Sequence, residues 1–223
     1  MRPDAVIFDC DGVLVDSEAI AFNMLQADLV AYAPHLSRAQ MERDLLGLTL
    51  AGVAAKARTL GADLPDTWVE DFYARLYSRL EQGTPLVPCI LEVLDALDAA
   101  RIPYAVGSNG SPQKMQITLG QHPGLIERFH GRLFSGQETP RPKPYPDIFL
   151  KAAAEMHVAA ARCIVIEDSP AGARAARAAG MRCLGYAPHE ASALVAEGAE
   201  PFARMSDLPL LLNLNPPSSK LAV

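Results

Sequence analysis

Apolar residues fill Ala5 to Phe8 without a break, and the run then meets two aspartates and a glycine in "AVIFDCDGVLVDSE". An unbroken apolar run this short reads as a strand buried on both faces. From Asp16 onward the apolar spacing becomes that of helices. It predicts a helix from Asp16 to Val30, stopped before Pro34, and a second in "RAQMERDLLG", capped by Ser37 and ending at Gly47. A third, "LAGVAAKARTL", ends at Gly61, and a fourth, "DTWVEDFYARLYSRLEQG", closes at Gly83. No strand pattern interrupts these four.

Alternation begins after Thr84. "CILEVLDALDAAR" reads as a helix, "IPYAVGS" as a strand, and "SPQKMQITLG" as a helix capped by Ser111 with Pro112 at its first position. "GRLFSG" is a short strand, "YPDIFLKAAAEMH" a helix, "RCIVIEDS" a strand, "PAGARAARAAG" a helix and "MRCLGYA" a strand. Strands that alternate with helices in this way predict an α/β fold with a doubly wound parallel sheet. The helical block is then an insertion after the first strand. Residues 1–15 and 85–223 form the core, and residues 16–84 form a separate all-helical domain, with "NPPSSKLAV" as a tail.

Composition narrows the function classes. A net charge of -6, with no Lys/Arg cluster, argues against nucleic acid or an anionic membrane as partner. Of the four cysteines, three lie in or beside apolar strand-like segments and none forms a metal-type pair, so they read as reduced, buried thiols. No apolar run approaches the roughly 20 residues of a membrane span. The expectation is a cytoplasmic protein.

Candidate chemistry sits where strands end, because ligands of such sheets bind beyond the carboxyl ends of the strands. Asp9 and Asp11 follow the first strand, Ser108 and Asn109 follow "YAVG", and Glu167 and Asp168 follow "CIVI". Lys143 stands between Pro142 and Pro144 in the loop "TPRPKPYP". If the chain stays extended past Phe8, Asp9 and Asp11 share one side and Cys10 takes the other. Two carboxylates about 4 Å apart repel by roughly 4 kcal/mol at an effective dielectric of about 20, so a cation or a catalytic role must offset the cost. Acids with one hydroxyl and one lysine suit a metal-plus-phosphate site.

Each piece has a plainer reading. "DCDG" opens like a calcium loop, but Ile20 stands where its bidentate glutamate belongs. Ser108–Asn109–Gly110 also suits an ordinary turn, Lys143 a solvated loop, and Glu167–Asp168 a helix cap. The joint occurrence at successive strand ends is what favours a site. No P-loop and no dinucleotide fingerprint is present.

"FDCDGVLVDSE", "VGSNGSP", "RPKPYPDIF" and "VIEDSPAGARAARAAGM" together resemble the four motifs of the haloacid dehalogenase superfamily. The similarity runs from Ala5 to about Tyr186 and is to the phosphatase and phosphomutase branch with a helical cap. The resemblance implies a Rossmann-like core, Mg²⁺ as cofactor, Asp9 as nucleophile and Asp11 as acid and base. It also implies that Asp9, the Asp11 main-chain carbonyl and Asp168 hold the metal, Glu167 joining directly or through water. Ser108, the Asn109 amide and Lys143 would hold the phosphoryl group.

Halide-displacing members lack the second aspartate, which is present here as Asp11. Mutases of the branch carry a cap cation and a cap histidine at places where this chain has Leu50, Leu46 and Ala21. Those departures favour hydrolysis over sugar-phosphate isomerisation. The pattern "SNG…KMQ…LG" and the segment "LFSG" are similar to bacterial phosphatases of 6-phosphogluconate and related sugar phosphates. The expected partner is therefore a small phosphorylated metabolite of that kind. Arg43, Lys56 and Lys114 are candidates to meet a substrate carboxylate, or are simply solvated helix charges. A phospho-accepting binding module without turnover is the alternative from another class, and the acid/base at Asp11 argues against it.

Overall fold

The computed structural model describes residues 2–45 and 48–214. The chain divides into two compact units, Met1–Asp16 with Pro85–Val223, and Ser17–Thr84. The predicted helix end at Gly47, the comparison at Leu46 and the tail "NPPSSKLAV" lie outside the described residues.

The first unit is built on strands β1 (Ala5–Phe8), β2 (Tyr104–Ser108), β3 (Leu133–Ser135), β4 (Cys163–Glu167), β5 (Arg182–Tyr186) and β6 (Glu200–Phe202). They form a six-stranded sheet in the order β3-β2-β1-β4-β5-β6, with every pair parallel. This is the doubly wound, Rossmann-like order, in which the chain runs outward from β1 on one side and then returns to its other side.

Both faces of β1 are closed. Val6 and Phe8 face one apolar cluster, Ala5 and Ile7 face the other, and all four are fully buried. On the first face, the helix Ile90–Ala100 contributes Ile90, Val93, Leu94 and Leu97, and Pro112–Gly120 contributes Met115 and Leu119. On the second face, Asp147–Glu155 brings Ile148, Phe149, Ala152 and Ala153, and Pro170–Ala178 brings Ala173, Ala175 and Ala176. Each large side chain removed from water in this way contributes about 1.5–3 kcal/mol. The alanine-rich helix buries its small residues, while Arg174 and Arg177 turn outward to Glu197.

Two expectations about this unit need correction. The chain does not stay extended to Asp11, because β1 ends at Phe8 and the backbone bends at Cys10. Leu14 N and Val15 N both donate to the Cys10 carbonyl, at 2.9 and 3.1 Å, and Gly12 N donates to that of Val15 at 2.8 Å, closing a tight loop. Cys10 still packs into the apolar cluster of Val6 and Phe8. The sequence pattern also missed β6 and the short helices Leu125–Arg128, Ser192–Ala196 and Leu208–Leu211. Elements of three to five residues carry too little periodicity to read, and Pro201 within β6 is tolerated because that strand forms an edge.

The second unit holds the helices Glu18–Tyr32, Arg38–Leu45, Leu50–Thr59 and Trp68–Glu81. Its core gathers Leu25, Leu29, Met41, Val53, Ala57 and Leu76 with Trp68 stacked on Phe72 at 5.3 Å between centroids. Asp28 accepts from Trp68 Nε1 at 2.6 Å and pairs with Arg75. Ser37 and Gln40 form a reciprocal cap, Gln40 N donating to Ser37 Oγ at 3.3 Å and Ser37 N to Gln40 Oε1 at 3.0 Å. No helix among the described residues is long and apolar enough to cross a membrane.

Three cysteines are buried and Cys89 is exposed. Burial pushes the Cys163 thiol up to about 11 and Cys183 up to about 12, and it raises Cys10 as well. A thiolate is the reactive form. We expect one thiol per chain, Cys89, to react quickly with an alkylating reagent at neutral pH, with the other three following only on unfolding. Peptide mapping after timed labelling checks this, and fast labelling of Cys10 would contradict the packing described.

Candidate active site

Register brings the polar strand ends to one level. Phe8 pairs with Val106 on β2 and with Ile166 on β4, so Asp9 stands beside Glu167, and Asp9 N donates to the Ile166 carbonyl at 2.9 Å. Ser108 closes β2 next door. A residue inside these strands faces a dry core, so a carboxylate has room only at their ends.

Lys143 ties the ends together. Its ammonium donates to Asp9 Oδ1 at 2.7 Å and to Glu167 Oε1 at 2.5 Å, and it lies 5.0 Å over the Phe149 ring. The lysine side chain is 3% exposed and the glutamate 0%, so these charges meet with little water between them. Burial pushes the Asp9 carboxyl above the usual carboxylate range, Lys143 pulls it back, and Glu167 and Asp11 add to the rise. Burial would lower the Lys143 ammonium, but Asp9 and Glu167 together raise it more, so it stays charged.

The lysine is aimed from its backbone. The Asn109 side chain accepts from Lys143 N at 3.0 Å and donates to its carbonyl at 3.2 Å. Sequence reasoning assigned Asn109 only a main-chain amide, and this side-chain clamp was not legible. The turn before it is held by Ser108 Oγ, which accepts from Gly110 N at 3.0 Å, and by Ser135 Oγ, which donates to the Gly110 carbonyl at 2.7 Å. Ser111 caps the helix Pro112–Gly120 through Lys114 N, as its sequence predicts.

Glu167 is equally committed. Its Oε2 accepts from Asp168 N, Ser169 N and Ser169 Oγ at 3.0, 2.9 and 2.9 Å. Two glycines make room for the acids. A Cβ on Gly172 would lie 1.8 Å from Glu167 Oε1, and one on Gly12, at φ +77°, would lie 1.8 Å from Asp168 Oδ2. Neither contact was visible in the sequence, since Gly172 reads there as part of an alanine-rich helix.

Asp9, Glu167 and Asp168 each present a carboxylate oxygen within 4.8 Å of the others. A clustered all-oxygen donor set fits a hard divalent cation. Asp11 pairs with Lys114, whose ammonium lies 2.7 Å from its Oδ1. Arg43 and Lys56 belong to the Ser17–Thr84 unit, where Arg43 pairs with its neighbour Asp44 at 3.1 Å. A cavity of about 280 Å³ bordered by Arg2, Arg162, Cys163 and Arg182 lies at the amino ends of β4 and β5, away from this chemistry.

The model of the haloacid dehalogenase-like hydrolases matches residues 3–180. The chain belongs to that family. As a haloacid dehalogenase-like hydrolase it is an enzyme, in class a phosphoric monoester hydrolase. It is 31% identical to the 6-phosphogluconate phosphatase of Escherichia coli K12, over 94% of this chain and 95% of that one. It is also 31% identical to hexitol phosphatase B of the same organism, over 81% and 82%. A haloacid dehalogenase family hydrolase from Deinococcus radiodurans R1, solved with bound phosphate and sodium, superposes with a TM-score of 0.79 at 30% identity, covering 97% of this chain and 99% of that one.

Replacing a helical glycine by alanine ordinarily stabilises by about 0.4–1 kcal/mol. At Gly172 the new methyl would strike the buried Glu167 carboxylate, and overpacking of that kind costs about 1–3 kcal/mol. We therefore expect Gly172→Ala in this hydrolase to lower stability, read as a lower midpoint in chemical denaturation. An unchanged or raised midpoint would mean that Glu167 is not held where it is described.

Proposed function

We propose that this hydrolase removes phosphate from a small sugar or sugar-acid phosphate, with Mg²⁺, through an aspartyl-phosphate on Asp9. The observation that carries the reading is the buried Lys143 bridging Asp9 and Glu167 at adjacent strand ends, beside an acidic cluster suited to a divalent cation. Asp9, Asp168 and the Asp11 carbonyl would hold the cation, with Glu167 directly or through water; its four protein donors favour water. When bound, the cation supplies positive charge against the phosphoryl oxygens and the approaching carboxylate.

In this reading an Asp9 oxygen attacks phosphorus and the bond to the leaving oxygen breaks, that oxygen taking a proton from the Asp11 carboxyl. Water then attacks the phosphorus of the aspartyl-phosphate, gives its proton to Asp11 and releases inorganic phosphate, restoring Asp9. Lys143 offsets charge on Asp9 and the phosphoryl group, and Ser108 with the Asn109 amide orients it. The helical unit Ser17–Thr84 is the cap, with Arg43 and Lys56 as its candidate substrate cations. The named activities of the relatives, on 6-phosphogluconate and on hexitol phosphates, support this substrate class. The acidic balance and buried thiols suit a cytoplasmic enzyme of small metabolites.

The test is phosphate release with Mg²⁺ across a panel of sugar, hexitol and sugar-acid phosphates. We expect release that requires Mg²⁺ and falls at least about 1,000-fold in Asp9→Asn, on the scale of losing a nucleophile. Conversion of glucose 1-phosphate to glucose 6-phosphate without phosphate release would overturn the reading. A second measurement needs no turnover. Mg²⁺ at about 100 times its dissociation constant adds about 2.7 kcal/mol to stability. The melting temperature should therefore climb with Mg²⁺ in the wild type and far less in Asp168→Asn.

A further inference from the structure

We infer that Lys114 is a positioning residue for Asp11, not a contact for the substrate; this rests on the phosphatase reading above. The lysine lies in the first turn of the helix Pro112–Gly120, where its own N–H is fixed by Ser111 Oγ at 3.1 Å and its carbonyl by Thr118 Oγ1 at 3.0 Å. From that anchored backbone the side chain runs beside the turn after β2, its Cδ 3.7 Å from where a Cβ on Gly110 would stand. The ammonium ends 2.7 Å from Asp11 Oδ1, with the lysine side chain 16% and the aspartate side chain 18% exposed. A solvated helix lysine extends into water. This one is folded back onto one oxygen of one carboxyl.

The two oxygens of Asp11 therefore have different surroundings. Oδ1 takes the ammonium. Oδ2 lies on the side of the Ser108–Gly110 turn, 3.4 Å from the same Cβ position that is 3.2 Å from Ser108 Oγ. In the phosphatase reading Ser108 orients the phosphoryl group, and Oδ2 is then the oxygen on the side of the reacting ester. A carboxyl accepts at one oxygen in either protonation state and carries its proton on the other. The ion pair with Lys114 at Oδ1 orients the carboxyl, so that Oδ2 is the atom that gives a proton to the leaving oxygen and later takes one from water. Asp9 reaches Lys143 and Asp11 reaches Lys114, so the two aspartates answer to separate cations.

Leaving groups test this directly. A sugar alkoxide leaves only with a proton, whereas p-nitrophenolate leaves without one, so loss of Asp11 positioning must fall on the first kind of ester. We expect Lys114→Met to lower kcat for hexitol and sugar-acid phosphates about 10- to 100-fold, a share of the 10²- to 10⁴-fold that a general acid supplies. KM should stay within about threefold, and p-nitrophenyl phosphate turnover should change only a few-fold. Lys114→Arg should recover most of the loss. In an Asp11→Asn background, Lys114→Met should add little, because the residue it acts through is already disabled.

A KM increase confined to carboxylated substrates would make Lys114 a substrate contact and overturn the proposal. Equal losses on both ester types, or additive effects with Asp11→Asn, would reduce it to a structural pair. If Lys114→Met does not fold, Lys114→Gln carries the same test, and an alkyl-to-aryl rate ratio equal to that of the wild type there overturns the proposal. A wild type that releases phosphate from no ester defeats the phosphatase reading itself, and the proposal falls with it.

Discussion

The ammonium of Lys143, held between Asp9 and Glu167, is the interaction on which the other features of the site depend. Burying ions costs several kcal/mol each, and removing one partner from such a group costs about 3–5 kcal/mol because the remaining charge is stranded. The group is tolerable only if every member is held. Asn109 fixes the lysine from its backbone, Ser169 and two main-chain amides fix Glu167, and Gly172 leaves the space that the glutamate fills. Asp168 clusters with those two acids, and that excess of negative charge over one bridging ammonium is what makes a cation chemically appropriate there.

The sheet supplies the geometry that this group needs. A strand buried on both faces cannot carry a charge within its length, so β1 and β4 are apolar up to their last residues and their chemistry is confined to the ends. The parallel order puts β1 between β2 and β4, which lines up Asp9, Ser108 and Glu167 along one edge. The apolar packing and the site are therefore one arrangement. Phe149 shows the link, since it fills the core beneath the sheet and also lies under the Lys143 ammonium.

Much of this was legible in the sequence because local rules governed it. The apolar run before Asp9, the Ser-Pro starts of two helices at Ser111 and Ser169, and the change from helical spacing to alternation each rest on a few neighbouring residues. What stayed hidden is set by distance along the chain. Asp9 and Lys143 are 134 residues apart, and nothing local says that they touch. The same holds for the Asn109 clamp and for the close approach of Gly172 to Glu167. The family resemblance bridged part of that gap by assigning Lys143 to the site, but it did not say that Lys114, the third residue of the helix Pro112–Gly120, would fold back on Asp11. Strand β6 was missed for the opposite reason: three residues with a proline hold no period at all.

The opening puzzle, two aspartates crowded at the end of an apolar strand, resolves into a division of surroundings. Asp9 faces a lysine that is 3% exposed, among groups that cannot move without stranding a charge. Asp11 faces one that is 16% exposed, on a loop already turned away from the sheet. In the proposed reaction the first setting suits an attacking oxygen, which must keep a fixed line to phosphorus, and the second suits a group that trades protons with a leaving alcohol and then with water. The repulsion between the two carboxylates is offset separately at each, by a different lysine from a different segment. Bending the chain at Cys10 is what lets two residues so close in sequence reach those two environments, so in the proposed reaction the departure from an extended strand serves the chemistry.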